Sequence, residues 1–229
     1  TGQGYGVLKH CHRNMSNELA TGGLTGTGQG TWTGHKGLIR SMERMNAIDE
    51  VETQGHTAKV QAGVVLQTLQ EAVKEQALMF PLDLGARGSC TVGGNVATNA
   101  GGINVIRYGM MRELVLGLEV VLADGTILSS MNRMLKNNAG YDLKQLFIGS
   151  EGTLGIITRV IVKLKEQPLS ANSALVATNQ FTHVVDLLKF VDKSLGGQLT
   201  SYELMWRNYY CAVTAPGWHE SPLAKDYAY

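Results

Sequence analysis

Glycine is the residue type that stands out for chemistry: 28 of 229 positions, massed in residues 22–37 and 85–109 without a repeat period. At that local density the backbone is either held in unusual dihedrals or pressed close to something flat or charged. Gly22-Gly23-Leu24-Thr25-Gly26 offers consecutive backbone N–H groups with little side-chain obstruction, as an anion-binding nest requires. No G-x-G-x-x-G or G-x-x-x-x-G-K-[ST] occurs, and Gly26-Thr27-Gly28-Gln29-Gly30 has the wrong spacing with no strong strand before it, so the familiar nicotinamide and nucleoside-triphosphate sites are unsupported. In residues 81–102 the small residues are interleaved with the compact hydrogen-bonding side chains Ser89, Thr91, Asn95, Thr98 and Asn99. A long loop of this kind inside a compact domain is usually functional.

The other candidates favour plainer readings. His10-Cys11-His12 has metal-binding residue types, but positions two apart on a helix face different ways, which points to a solvated helix end. His35, His56, His183 and His219 are scattered and read as surface residues. Arg107, Tyr108 and Tyr141 either line a pocket or pack ordinarily, and Lys136-Asn137-Asn138 reads as a turn. Cys90 reads as a small buried residue without an adjacent base to activate it.

Composition narrows the classes. A net charge of +1 without a run of like charges disfavours a basic nucleic-acid surface. Three cysteines far apart (Cys11, Cys90, Cys211) argue against a disulfide framework and fit a reducing compartment. No apolar run approaches the roughly 20 residues that span a bilayer. Residues 1–6 lack the features of a signal peptide, and the absence of an initiating Met implies processing or truncation upstream.

Several elements must position the glycine-rich segments. Val7–Arg13 reads as a helix end, 21–37 as loop, and Leu38-Ile39 as a brief strand. Ala58–Val64 alternates as a strand, and Leu66–Gln76 is an amphipathic helix. The apolar run Leu114–Leu122 is closed by Asp124-Gly125 as a two-residue hairpin turn, with Ile127-Leu128 beginning the return strand. Leu143–Gly149 is a short helix or turn, and Gly155–Leu164 a strand. Pro168 marks a boundary, followed by strand Ala174–Ala177, helix Phe181–Leu195 stopped by Gly196-Gly197, strand Leu199–Leu204, and a further strand starting at Tyr227.

The run Pro81-Leu82-Asp83-Leu84-Gly85-Ala86-Arg87-Gly88-Ser89-Cys90-Thr91-Val92-Gly93-Gly94-Asn95 carries a resemblance, together with Arg107-Tyr108-Gly109, Gly140-Tyr141-Asp142-Leu143 and Gly149-Ser150-Glu151-Gly152-Thr153-Leu154-Gly155-Ile156-Ile157-Thr158. It closely resembles the FAD-linked oxidases of the vanillyl-alcohol-oxidase (PCMH) type, and within them the D-2-hydroxyglutarate dehydrogenase-like D-2-hydroxyacid dehydrogenases. The likeness runs from about His10 to the C-terminus and is most specific over 81–158. It implies an α+β fold: a PCMH-type FAD-binding domain of two α+β subdomains over residues 1–167, N-terminally incomplete. Residues 168–229 then hold the start of a truncated, ferredoxin-like substrate (cap) domain.

The resemblance also implies the cofactor contacts. Gly22, Gly23, Thr25 and Gly26 match the family's pyrophosphate loop. Asp83, Gly85, Gly88, Ser89, Gly93, Gly94 and Asn95 match its second flavin-contacting segment, continued by Thr98, Asn99 and Gly101. Glu151, Gly152, Gly155 and Ile157 match the segment beside the adenine end. Non-covalent FAD suits these small residues, because an anionic pyrophosphate and two flat rings need close backbone approach and free N–H groups. The chain departs from the family pattern at Met15–Ala20 and Thr27–Trp32.

The implied reaction is oxidation of a small D-2-hydroxy acid to the 2-oxo acid by hydride transfer to flavin, with electrons passed to a carrier protein or quinone. A D-lactate or glycolate dehydrogenase and a non-catalytic FAD-binding fragment remain as alternatives. In the resembled enzymes the base and a divalent-metal site lie in the second domain, beyond residue 229, so no catalytic residue or metal ligand is assigned. The resemblance admits a homodimer and implies a bacterial cytoplasmic protein, or a mitochondrial-matrix one if eukaryotic.

Overall fold

The computed structural model describes residues 2–14, 16–28, 37–215, 217 and 219–229, so part of the 21–37 loop, residues 29–36, lies outside the described residues. Two compact units are distinguished: Thr1–Gly102 with Tyr108–Gln167, and Ile103–Arg107 with Pro168–Tyr229.

In chain order the first unit begins with helix α1 (Gly2–Arg13) and strands β1 (Glu18–Thr21), β2 (Leu38–Ser41), β3 (Ile48–Glu52) and β4 (Thr57–Gln61). Helix α2 (Leu66–Lys74), β5 (Leu78–Met79) and the short helix α3 (Val92–Ala97) follow, then α4 (Val105–Tyr108), which belongs to the second unit up to Arg107, and α5 (Met111–Leu114). Strands β6 (Val115–Val121) and β7 (Ile127–Ser130), helix α6 (Lys144–Phe147), and strands β8 (Ile156–Lys163) and β9 (Lys165–Glu166) complete it.

The central sheet has the order β3-β4-β8-β6-β7 and is antiparallel throughout. β6 and β8, two of its three inner strands, carry long apolar runs because successive residues on both of their faces are buried; Leu118, Val120, Val160 and Val162 are at most 2% exposed. The apolar face of α2 (Leu66, Leu69, Val73) and of α3 (Val92, Val96) belongs to the same core. The helical spacing of those residues buries them together, each worth about 1.5–3 kcal/mol relative to exposure. Separately, β1 and β2 form a parallel pair, and β5 and β9 an antiparallel one.

Two local expectations are corrected in this unit. The β6–β7 turn is not a two-residue turn: Leu122 and Thr126 are the last bonded pair (Leu122 N–H to Thr126 O, 2.8 Å), leaving Ala123-Asp124-Gly125 as the loop. Only Gly125 takes positive φ (+87°), and Asp124 stabilises the loop by accepting from the Thr126 N–H (2.8 Å) and hydroxyl (2.9 Å). The stretch 85–102 is also not all loop, since Thr91 caps α3, its side chain accepting from Gly94 N–H.

The second unit contains helices α7 (Phe181–Leu195) and α8 (Arg207–Val213). α7 ends at Gly196, in the left-handed region at φ +54°. The expected strands Ala174–Ala177 and Leu199–Leu204 do not form, nor does one at Tyr227–Tyr229. A strand exists through a continuous ladder, and the backbone bonds here are isolated: Thr178 and Tyr229 exchange a pair (2.9 and 3.0 Å), and Arg207 N–H reaches Ala228 O (3.0 Å). Phe181, Trp206 and Tyr229 cluster, with ring centroids 5.0 to 6.4 Å apart.

Candidate functional site

The end of β1 is placed by its neighbour. Met42 N–H donates to Thr21 O at 2.9 Å, and the Thr21 hydroxyl to Arg40 O at 3.4 Å. Gly22 and Gly23 then run so close to the 89–91 segment that side chains are excluded. A Cβ on Gly22 would lie 2.3 Å from Thr91 Oγ1, and one on Gly23 would lie 1.8 Å from Ser89 O.

The 84–93 segment is itself stitched to the sheet and α2. Turns close at Arg87 N–H to Leu84 O (3.0 Å) and Cys90 N–H to Ala86 O (2.8 Å), while Leu66 N–H reaches Cys90 O (3.0 Å). Val92 N–H binds Val64 O (2.8 Å) and Gly93 N–H binds Ala62 O (2.8 Å). The expected free N–H groups at Gly93 and Gly94 are therefore engaged, by Ala62 O and, at 3.4 Å, by Thr91 Oγ1. Gly93 is needed for a different reason: a Cβ there would stand 2.5 Å from Ala62 Cβ. Burial pushes the neighbouring Cys90 thiol above its ordinary pKa, even though Asn95 Nδ2 donates to its sulfur at 3.6 Å.

The third wall comes from the segment leading into β8. The carbonyls of Val96 and Ala97, at the end of α3, accept from Gly149 N–H (3.1 Å) and Glu151 N–H (2.8 Å). Glu151 and Gly152 both take positive φ, +52° and +79°. Gly155 is buried against β6, where a Cβ would meet Val120 Cγ1 at 2.7 Å. Within β8, Glu119 pairs with Arg159 and Val120 with Ile157, leaving Thr158 as the extra residue of a bulge; its hydroxyl donates to Glu119 Oε1 at 2.7 Å.

These three segments enclose a cleft of about 70 Å³. Ala20, Thr21 and Gly22 form one side, Thr91, Gly93, Gly94 and Ala97 the second, and Glu151, Gly152, Gly155, Ile156 and Ile157 the third; Met42 and Ala62 complete the lining. Segments more than a hundred residues apart in sequence thus meet as small residues and backbone around one narrow space.

Of the sequence-derived candidates, Gly22, Thr91, Gly93, Gly94, Glu151, Gly152, Gly155 and Ile157 line the cleft. Gly23 and Ser89 lie against each other beside it. The others are engaged elsewhere or open to solvent. Asp83 pairs with Arg87 (3.2 Å), Asn95 is buried at 4% exposure, and the Thr98 hydroxyl donates to Gly94 O (3.0 Å). Asn99 Oδ1 accepts from Arg112 N–H (2.9 Å), and Gly101 is half-buried away from the lining. Thr25 and Gly88 are exposed, and Gly26 and Gly85 would have nothing within 4 Å of an added Cβ. Tyr141, 97% exposed, packs in no pocket. Sequence reasoning left out Ala20, Thr21, Met42, Ala62, Ala97 and Ile156 as lining residues; only Thr21, a small polar residue ahead of a glycine pair, carried a local signal.

A family model described as "FAD binding domain" matches residues 5–130, more than half of the chain. The chain belongs to the FAD-binding-domain family. This FAD-binding domain is 44% identical over 199 residues to the mitochondrial D-2-hydroxyglutarate dehydrogenase of Bos taurus, covering 87% of this chain and 37% of that protein. It is 45% identical over 163 residues to the D-2-hydroxyglutarate dehydrogenase of Xanthomonas citri pv. viticola, covering 71% and 34%. A solved alkyldihydroxyacetonephosphate synthase superposes with a TM-score of 0.70 at 24% identity, covering 83% of this chain and 35% of that one; it shows the same α+β fold. The chain spans little more than a third of the length of these relatives.

The residues present fit such a cofactor. Gly22 and Gly23 lack side chains because Thr91 and Ser89 O stand where a Cβ would be, and the glycines lining the cleft (22, 93, 94, 152 and 155) present backbone to it, as close approach to a pyrophosphate or flat ring demands. Among the described residues no helix is long and apolar enough to cross a membrane.

Proposed function

We propose that the cleft holds FAD without a covalent bond, and that the whole protein oxidises a D-2-hydroxy acid of the 2-hydroxyglutarate type to its 2-oxo acid. The observation that carries this reading is the convergence of residues 20–22, 91–97 and 151–157 on one narrow, glycine-lined cleft. The names of the bovine and bacterial relatives support the substrate class. Gly22, Gly93, Gly94, Glu151, Gly152, Gly155 and Ile157 hold the cofactor, with Gly23 and Ser89 at the rim. Residues 1–167 form the cofactor domain and 168–229 the start of a ferredoxin-like substrate domain.

FAD held by these residues would supply a two-electron acceptor for the hydride on the carbon bearing the substrate hydroxyl, the hydroxyl proton going to a base. The chain supplies position and shielding. The glycines at 22 and 23 let backbone approach closely, Met42, Ala62, Ala97, Ile156 and Ile157 keep water from the cleft, and the positive-φ turn at Glu151-Gly152 fixes the path into β8. The acceptor that would reoxidise the flavin is a carrier protein or a quinone. The protein acts in the bacterial cytoplasm or the mitochondrial matrix, the latter in line with the bovine relative's name.

The test is spectroscopic. The purified chain mixed with FAD and desalted retains flavin absorbance, and the flavin of the full-length protein bleaches anaerobically with D-2-hydroxyglutarate. Failure to retain any flavin overturns the cofactor assignment. Retained flavin in the full-length protein that no 2-hydroxy acid reduces overturns the oxidation reading and leaves a non-catalytic FAD-binding domain.

A further inference from the structure

Arg112 lies outside the cleft yet ties down one of its walls. Its half-buried guanidinium donates through Nη1 to Gln145 O (3.0 Å) and Gln145 Oε1 (2.7 Å), and through Nη2 to Ile148 O (2.6 Å). Its backbone N–H donates to Asn99 Oδ1 at 2.9 Å. Asn99 holds φ +48° just past α3, next to the carbonyls of Val96 and Ala97 that receive Gly149 and Glu151. A Cβ on Gly149, itself at φ +83°, would stand 3.3 Å from Asn99 Cβ and 3.4 Å from Arg112 Nη2. The Arg112 guanidinium therefore ties the start of α5 to the end of α6, and the Asn99 side chain ties it to the end of α3.

We propose that Arg112, with Asn99, is a positioning residue that fixes the Gly149–Gly155 wall of the cleft and thereby sets its affinity for FAD. The value for FAD rests on the cofactor reading above; the clamp itself does not. The chemistry asks for arginine. The last carbonyls of a helix such as α6 have no partners within it and carry partial negative charge. A planar guanidinium reaches two main-chain oxygens and a side-chain oxygen at fixed angles, whereas an ammonium offers a point charge that cannot span them. The target is a wall whose main chain already adopts left-handed dihedrals at three positions, 149, 151 and 152, and stays so only if its surroundings dictate it.

Arg112→Lys, Arg112→Met and Asn99→Gly separate the possibilities; glycine at 99 keeps the left-handed backbone while removing the side-chain acceptor. FAD titration followed by flavin fluorescence should show a loss of about tenfold in affinity for Arg112→Lys, the scale of one lost hydrogen bond to a charged group. Arg112→Met should lose more and Asn99→Gly less. Amide exchange should accelerate at Gly149 and Glu151 while β4 and β8 remain as protected as in the wild type. Unchanged affinity with unchanged exchange overturns the proposal. So does faster exchange throughout the sheet, which marks a general stabilising role. If the wild type binds no FAD, the cofactor reading fails, and exchange at Gly149 and Glu151 alone decides whether the clamp exists.

Discussion

Gly93 and Gly26 look alike in sequence and do opposite things in the structure. A Cβ at 93 would stand 2.5 Å from Ala62 Cβ and 2.9 Å from Ala62 O, both on well-anchored backbone, whereas one at 26 would meet nothing within 4 Å. Gly93→Ala should therefore cost about 1–3 kcal/mol through overpacking, while Gly26→Ala should stay within about 0.5 kcal/mol. Urea unfolding of the two variants checks the pair, and equal midpoints would show that the 62–93 contact yields easily. Residue types alone told that glycines mattered over 22–26 and 85–101, but not which ones press on protein and which face a ligand. That distinction depends on what lies opposite each Cα, and the opposing atoms belong to residues 62, 89 and 91. Arg112 was illegible for the same reason: its acceptors, Gln145 and Ile148, lie more than thirty residues on.

Elements were legible where local pattern and tertiary surroundings agree. α2 and α7 show helical spacing, and β4, β6 and β8 carry apolar or β-branched runs, so both kinds of element could be read directly. α3 was hidden because two of its six residues are glycines, poor helix formers, and its stability comes instead from Val92 and Val96, both 0% exposed, and from the Thr91 cap. Thr91→Val keeps the side-chain shape and deletes the acceptor, so it should destabilise the first unit by about 1 kcal/mol, and Thr91→Ser should restore most of it. Thermal or urea denaturation of both variants measures this, and a Val variant as stable as the parent would show that packing alone holds α3. The strands read at 174–177 and 199–204 failed differently. Their composition suits strands, yet a strand needs a ladder, and the described bonds nearby are isolated pairs at Thr178 and Arg207.

For the whole molecule, ligand linkage should respect the division into two units. FAD binding through residues 20–22, 91–97 and 151–157 stabilises the unit that contains them, by about 2.7 kcal/mol at a hundredfold excess over Kd. Exchange of β4, β6 and β8 amides should slow with added FAD, while that of α7 should not change. Equal slowing in α7 would show that the units respond as one. The strand order β3-β4-β8-β6-β7 also has a temporal consequence. As the chain leaves a ribosome, β3–β4 and β6–β7 can each close as hairpins, but the edges of β4 and β6 stay bare until residues 156–163 emerge to sit between them. Until then the nascent protein exposes two adhesive ribbons. A premature stop between β7 and β8 should thus yield aggregate rather than a smaller folded product.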